Sequence, residues 1–149
     1  MIYLDASVLI PFLYGEQEPE KNVSARQLFA AIRAQTVRGL VSFYALPELF
    51  GYVAAHYPDE EINEVFRSSL VTLFSAPVIV KPYVERAETE RLRRKFSISD
   101  ASDAVHVIAA LYFGCSAIIT FDHHFRSVND IIPVYTPAEF FATLESSND

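Results

Sequence analysis

Short apolar runs alternate along the chain with longer stretches of mixed polarity, and that rhythm sets the predicted elements. Ile2-Tyr3-Leu4 opens as a buried strand and breaks at Asp5. Leu40-Val41-Ser42-Phe43, Val78-Ile79-Val80 and Ala117-Ile118-Ile119-Thr120-Phe121 read as further strands, with Pro133-Val134-Tyr135 as a last edge strand. Between them, apolar positions near helical spacing predict helices over 22–35, 45–57, 59–73, 85–95, 100–113 and 137–144. Ser7 to Tyr14 also starts helically, but Pro11 is expected to hold it to a first turn. Pro47 sits in the first turn of its helix, Pro58 stops that helix, and Gly114 marks the end of the most apolar one. Strands alternating with helices argue for βαβ units and an α/β protein with a mostly parallel sheet. Such sheets bind ligands at the carboxyl ends of their strands.

Composition narrows the class. The 149 residues suit one domain over 1–149 with a polar tail from about 145, and 51% hydrophobic content supports a core. No repeat or Gly/Ser/Pro-rich linker divides the chain. The single Cys115 cannot form an internal disulfide and reads as a small buried residue. The N-terminus lacks the basic region of a signal peptide. The longest near-apolar run, 104–113, is too short to span a bilayer, so a soluble cytoplasmic protein without a membrane partner is expected.

Charge points in two directions. Twelve Lys and Arg against nineteen Asp and Glu leave a net charge of −7, which opposes an ordinary basic nucleic-acid binder with a pI above about 9. The charge is not evenly spread, however. Acids gather in Glu16–Glu20, Asp59–Glu64 and the tail, whereas Lys81, Arg86, Arg91, Arg93, Arg94 and Lys95 face only three acids in the same stretch. That local excess of +3 either meets phosphates or forms a solvated helix face with pairs such as Glu90–Arg94.

Five acids stand out by position. Asp5 and Asp122 directly follow strands, where an Asx turn or helix cap is one reading and a shared crevice the other. Asp100 and Asp103 open the apolar helix three residues apart; Asp100 suits a cap, and Asp103 enters a nearly all-apolar stretch where a charge needs a partner. Glu48 poses the same problem among Leu46, Pro47, Leu49 and Phe50. Asp5, Glu48, Asp103 and Asp122 could converge as an all-oxygen site for a hard cation such as Mg²⁺ or Mn²⁺. Without an ion, each pair at about 4 Å would repel by roughly 4 kcal/mol at an effective dielectric near 20.

These same segments carry a family resemblance. Ile2-Tyr3-Leu4-Asp5-Ala6-Ser7-Val8-Leu9 resembles the opening motif of PIN domains, and Ala45-Leu46-Pro47-Glu48-Leu49 their helix-borne acid. Asp103-Ala104-Val105-His106-Val107-Ile108-Ala109-Ala110 is similar to their third motif, and Ile118-Ile119-Thr120-Phe121-Asp122-His123-His124-Phe125 to their fourth. Order, spacing and length agree over essentially the whole chain, and the nearest subgroup is the VapC-like toxins of toxin–antitoxin pairs. The resemblance implies a three-layer α/β/α sandwich and a Mg²⁺- or Mn²⁺-dependent ribonuclease that leaves 5′-phosphate and 3′-hydroxyl ends. It maps Asp5, Glu48, Asp103 and Asp122 onto the acidic quartet, with Glu48 reaching the metal through water or taking a proton. Ser7 and Thr120 fall on its orienting hydroxyls. His124 stands where many members carry another Asp, which leaves fewer ligands for a second ion unless Asp100 compensates.

RNA as substrate, a cognate antitoxin and a homodimer follow from the same resemblance. Arg91, Arg93, Arg94 and Lys95 are the candidate RNA contacts, and aromatics over Phe43–Phe50 or Phe66–Phe74 are interface material. The acidic balance predicts weak, salt-sensitive and metal-dependent RNA contact. Tyr3, Phe12 and Tyr14 either stack bases or belong to the core, and His106 is either a ligand, a proton donor or a hydrogen-bonded core residue. Two rivals stand beside the ribonuclease: a PIN-like binding module without catalysis, and a zinc hydrolase using His106, Asp122, His123 and His124, for which no HxxxH or CxxC spacing speaks.

Overall fold

A computed structural model describes residues 1–15 and 18–146, so parts of the expected acidic loop at Glu16–Glu20 and of the polar tail lie outside the described residues. The chain runs β1 (Ile2–Leu4), α1 (Ala6–Leu13), α2 (Pro19–Arg33), β2 (Gly39–Ser42), α3 (Ala45–His56), α4 (Ile62–Phe74), β3 (Ile79–Lys81), α5 (Arg86–Arg93), α6 (Ala101–Tyr112), β4 (Ala117–Ile119), a 3₁₀ helix (His123–Val128), β5 (Val134–Tyr135) and α7 (Pro137–Ser146). The five strands form one sheet in the order β3-β2-β1-β4-β5 with every neighbouring pair parallel.

The period of two along the strands makes the three layers. Ile2, Leu4, Val41, Ala117 and Ile119 point into one core with α1, α2, Leu49 of α3, Leu73 of α4 and Phe140 of α7. Tyr3, Leu40 and Ile118 point into a second core with Leu92 of α5, the inward side of α6, and Phe125 and Val128. Both faces of the sheet are therefore buried, which is why the strands read as continuous apolar runs. Among the described residues, no helix is long and apolar enough to cross a membrane.

Several boundaries depart from the sequence reading. Helix α1 continues through Pro11 to Leu13, because Asp5 caps it and Val8 and Leu9 are fully buried. Burying two such side chains contributes about 1.5–3 kcal/mol each, enough to offset the roughly 3 kcal/mol cost of an interior proline. Helix α2 starts at Pro19, three residues early, with proline in the first turn. Strand β4 ends at Ile119, two residues short, because Thr120 turns its side chain to the site described below. At Gly39 a Cβ would lie 2.7 Å from Ile32 Cδ1 and 3.0 Å from Leu4 Cδ1, so a larger residue there would push aside the ends of these two side chains where α2 packs on β2. Helix α6 ends as expected at Gly114, whose φ of 70° is left-handed. Cys115 N–H bonds Ala110 O at 2.9 Å and Gly114 N–H bonds Leu111 O at 3.2 Å, a Schellman end.

The basic stretch is organised differently from the Glu90–Arg94 pair considered above. Glu90 pairs with Arg86 at 2.9 Å, and Glu88 takes Arg91 at 2.6 Å. Arg93 donates to Phe96 O at 3.0 Å and Ile98 O at 3.1 Å, tying the turn between α5 and α6. Arg93→Ala is expected to lower unfolding free energy in urea by about 1–3 kcal/mol, through two lost charge-assisted bonds. Arg93→Lys should restore little of it, since one ammonium cannot reproduce the planar fork. Equal midpoints for wild type and Arg93→Ala would remove this clamp.

Candidate active site

The chain leaves β1 toward β2 on one side and reaches β4 on the other, so the crevice at the carboxyl ends of β1 and β4 is the switch point of the sheet. Asp5 and Asp122 open from that edge. Asp5 is 5% exposed. Its Oδ2 accepts Ser7 Oγ at 2.6 Å, Thr120 Oγ1 at 2.9 Å and Ser7 N–H at 3.2 Å. Ser7 Oγ and Thr120 Oγ1 lie 3.0 Å apart, and they accept the N–H groups of Phe121 and Asp122 at 2.9 and 3.0 Å. Two hydroxyls thus lock Asp5 to the end of β4. Every bond to the Asp5 carboxylate among the described residues falls on Oδ2, which leaves Oδ1 for the crevice.

The cap reading and the site reading prove compatible. Asp5, Asp100 and Asp122 each cap a helix by accepting the N–H two residues on: Ser7, Ser102 and His124. Asp100 also takes Ser102 Oγ at 2.7 Å and is exposed; these bonds hold its carboxyl below the usual range. Asp103 sits one turn inside α6 without such bonds. Burial first, then the charges of Asp122, Asp100 and Asp5, push its carboxyl up to about 6, against the opposing pull of His106. Asp103 therefore feels acids from both strand ends.

Glu48 and His106 form the second half of the site. His106 is buried on α6; its Nε2 lies 3.0 Å from Glu48 Oε2 and its Nδ1 2.6 Å from Tyr3 Oη. Tyr3 Oη in turn meets Ser42 Oγ at 2.5 Å. The line Ser42–Tyr3–His106–Glu48 joins β2, β1, α6 and α3, and among the described residues no buried side-chain nitrogen or oxygen lacks a partner. Burial disfavours a charged imidazole, but the bond to Glu48 and the charges of Asp5, Glu48 and Asp103 outweigh it and raise the His106 pKa. Burial pushes the Tyr3 phenol far above its usual range, so it stays a neutral hydroxyl.

This geometry answers several open readings. With both ring nitrogens engaged, His106 is the hydrogen-bonded core residue. Of the four residues of the zinc set, Asp122, His123 and His124 bring their ligand atoms together, and His106 groups instead with Asp5 and Glu48. His124 Nδ1 sits 3.0 Å from Asp122 Oδ1, so at the sequence position where the resemblance expects a second acid an imidazole faces Asp122. Tyr3 lies in the core, Phe12 stacks on Phe29 at 3.7 Å, and Tyr14 bonds Ser69, so none of the three offers a free stacking face. A hollow of about 700 Å³ beside Phe12, Arg26 and Arg33 is not lined by any of these acids.

Among the described residues, Asp5 and Glu48 bring ligand atoms within 4.8 Å of each other and of His106, whereas Asp122 groups with His123 and His124 and Asp103 with neither. The carboxylate oxygens, including Asp5 Oδ1, are of the kind a hard divalent cation takes, and such an ion would offset the charges that raise Asp103. Sequence reasoning did not find Tyr3 and Ser42 as supports of this site. Lys21, ion-paired with Glu18 at 2.6 Å, also lies 5.6 Å over the ring of Phe121.

The comparisons with known proteins agree with this picture. The family model described as PIN domain matches residues 1–124. The chain belongs to the PIN domain family. VapC20 of Mycobacterium tuberculosis, a Sarcin-Ricin loop cleaving toxin, superposes with a TM-score of 0.64 at 16% identity, over 86% of this chain and 95% of that one. FitAcB from Neisseria gonorrhoeae gives 0.65 at 20% identity over 93% and 99%. A toxin-antitoxin complex from Klebsiella pneumoniae gives 0.59 at 15% identity over 92% and 98%. At these identities the likeness establishes the fold. No curated protein sequence matches the chain.

Proposed function

We propose that the chain is a Mg²⁺- or Mn²⁺-dependent endoribonuclease, the toxin of a toxin–antitoxin pair. The observation that carries this reading is the meeting of Asp5 and Glu48, with His106, at the sheet's switch point, where the charges of Asp122, Asp100 and Asp5 also reach Asp103. Structural likeness to VapC20, a toxin that cleaves the sarcin-ricin loop, supports RNA as the substrate class. Asp5, Asp103 and Asp122 would hold the ion, with Glu48 facing it directly or through water. When bound, the ion supplies an activated water and offsets charge on the phosphoryl oxygens. Ser7 and Thr120 keep Asp5 Oδ2 occupied, so that Oδ1 is presented in one orientation. His106 holds Glu48 Oε2, which leaves Oε1 to take the proton of the attacking water. Asp100 caps α6, and its charge tunes Asp103 rather than adding a ligand.

Of the four candidate RNA contacts, Arg94 and Lys95 are the ones left for phosphates, since Arg91 is paired with Glu88 and Arg93 holds backbone carbonyls. An antitoxin segment bearing Arg would satisfy the acidic crevice by charge-assisted pairing. Phe50 and Phe74, both exposed, are the homodimer surface in this reading. The test is incubation of the purified protein with short single-stranded RNAs and Mg²⁺, Mn²⁺, Zn²⁺ or EDTA. Cleavage is expected with Mg²⁺ or Mn²⁺ and absent in EDTA, with 5′-phosphate products. Cleavage that persists in EDTA overturns the reading, and RNA binding without cleavage makes the chain a binding module.

A further inference from the structure

Beside the acids, the same edge of the sheet carries an aromatic cluster that the chemistry above does not use. Phe43 follows the last residue of β2, and Tyr83 stands two residues beyond β3. Both rings reach solvent, Tyr83 at 54% and Phe43 at 37% exposure. They meet edge to face, with centroids 5.8 Å apart and planes at 81°. The Tyr83 ring also meets Tyr44 at 4.9 Å. The Tyr44 hydroxyl accepts the Val84 N–H at 3.2 Å, and the Phe43 N–H bonds Lys81 O at 2.9 Å, so the two strand exits are tied together. Tyr44 stands 6.3 Å from the His106 ring, which holds Glu48. A series of contacts therefore leads from the exposed Tyr83 ring to a carboxylate of the site.

The charge of the chain says what such a surface is for. Of the six bases in 81–95, Arg86 and Arg91 are paired with Glu90 and Glu88 and Arg93 holds backbone carbonyls, so in a protein of net charge −7 that stretch leaves Lys81, Arg94 and Lys95 for phosphates. Aromatic stacking holds single-stranded nucleic acid without that charge and tolerates any base. We propose that Tyr83 and Phe43 form a stacking platform for an unpaired nucleobase of the RNA, flanking the nucleotide that enters the acidic crevice. This rests on the ribonuclease reading. A base is favoured over a second copy of the chain because the two rings stand perpendicular instead of forming a flat apolar face, and Tyr83 connects through Tyr44 and His106 to Glu48 of the site.

The test is a single-stranded RNA dodecamer containing 2-aminopurine, titrated with wild type, Tyr83→Ala and Tyr83→Phe in Ca²⁺, followed by cleavage kinetics in Mn²⁺. Wild type and Tyr83→Phe are expected to quench the probe, as stacking does, while Tyr83→Ala binds about five- to 100-fold more weakly. In cleavage, Tyr83→Ala should raise KM and leave kcat within about twofold, the mark of binding lost equally from ground and transition states. The slope of affinity against salt should be the same for all three, since stacking releases no counterions. Equal RNA affinity and KM for wild type and Tyr83→Ala overturn the platform while leaving the nuclease intact. A change in sedimentation with unchanged RNA affinity assigns the patch to a second copy and also overturns it. Failure of wild type to bind or cleave any single-stranded RNA overturns the platform and the ribonuclease reading together.

Discussion

Asp5→Asn is expected to reduce RNA cleavage at least about 100-fold, since even partners of metal ligands cost 10–100-fold when removed. The fold should survive, because the amide is nearly isosteric and its oxygen can accept the same three bonds from Ser7 and Thr120 that Oδ2 accepts now. That choice of orientation places the amide NH₂ where Oδ1 faced the crevice. A neutral donor there cannot take a cation. Thermal unfolding in EDTA should therefore change by only a few degrees, whereas the stabilisation that Mn²⁺ confers on wild type should largely vanish. Cleavage within about threefold of wild type would take Asp5 out of the chemistry. A large loss of stability in EDTA would show instead that the negative charge is structural.

What the sequence could say about this site follows from which contacts are local. Apolar runs are local, so the buried strands Ile2-Tyr3-Leu4 and Ala117-Ile118-Ile119 and a mostly parallel sheet were legible, while the three layers came from the family resemblance. Asp5 and Asp122 were legible because a strand exit is a position along the chain. Asp103 was flagged by an apolar context that the structure confirms as burial of His106 through Ala110. Long-range partners were not legible. Glu48 looked unpartnered because His106 lies 58 residues away, and Tyr3 looked like any core aromatic because Ser42 and His106 are 39 and 103 residues off. Pro11 misled because a local rule was weighed without the burial of α1, which only tertiary contacts reveal. The exposed ring of Tyr83 gave no periodic signal, since it stands in a loop between β3 and α5.

Asp103→Asn should abolish cleavage to a similar extent and, unlike Asp5→Asn, make the metal-free protein more stable at neutral pH. In the folded chain burial and the charges of Asp122 and Asp100, with Asp5 beyond them, raise the Asp103 carboxyl to about 6, while His106 pulls the other way. A group whose folded pKa lies above its unfolded value stabilises below the unfolded value, and loses that contribution as pH rises through the folded one. Wild type in EDTA should thus lose ground to Asp103→Asn between about pH 4 and pH 7, with little difference at pH 4. Taken whole, the displacement to about 6 would be worth about 3 kcal/mol, but solvent screening at this half-buried side chain reduces it to about 1 kcal/mol. For a chain of this length that is a melting difference of about 2–4 °C at pH 7. Saturating Mn²⁺ should reverse the order, because the ion rewards the carboxylate that repulsion penalises. A wild type that melts above Asp103→Asn in EDTA at pH 7 would mean that Asp103 is held by a partner other than the cation, and the ion would lose its main reason to bind.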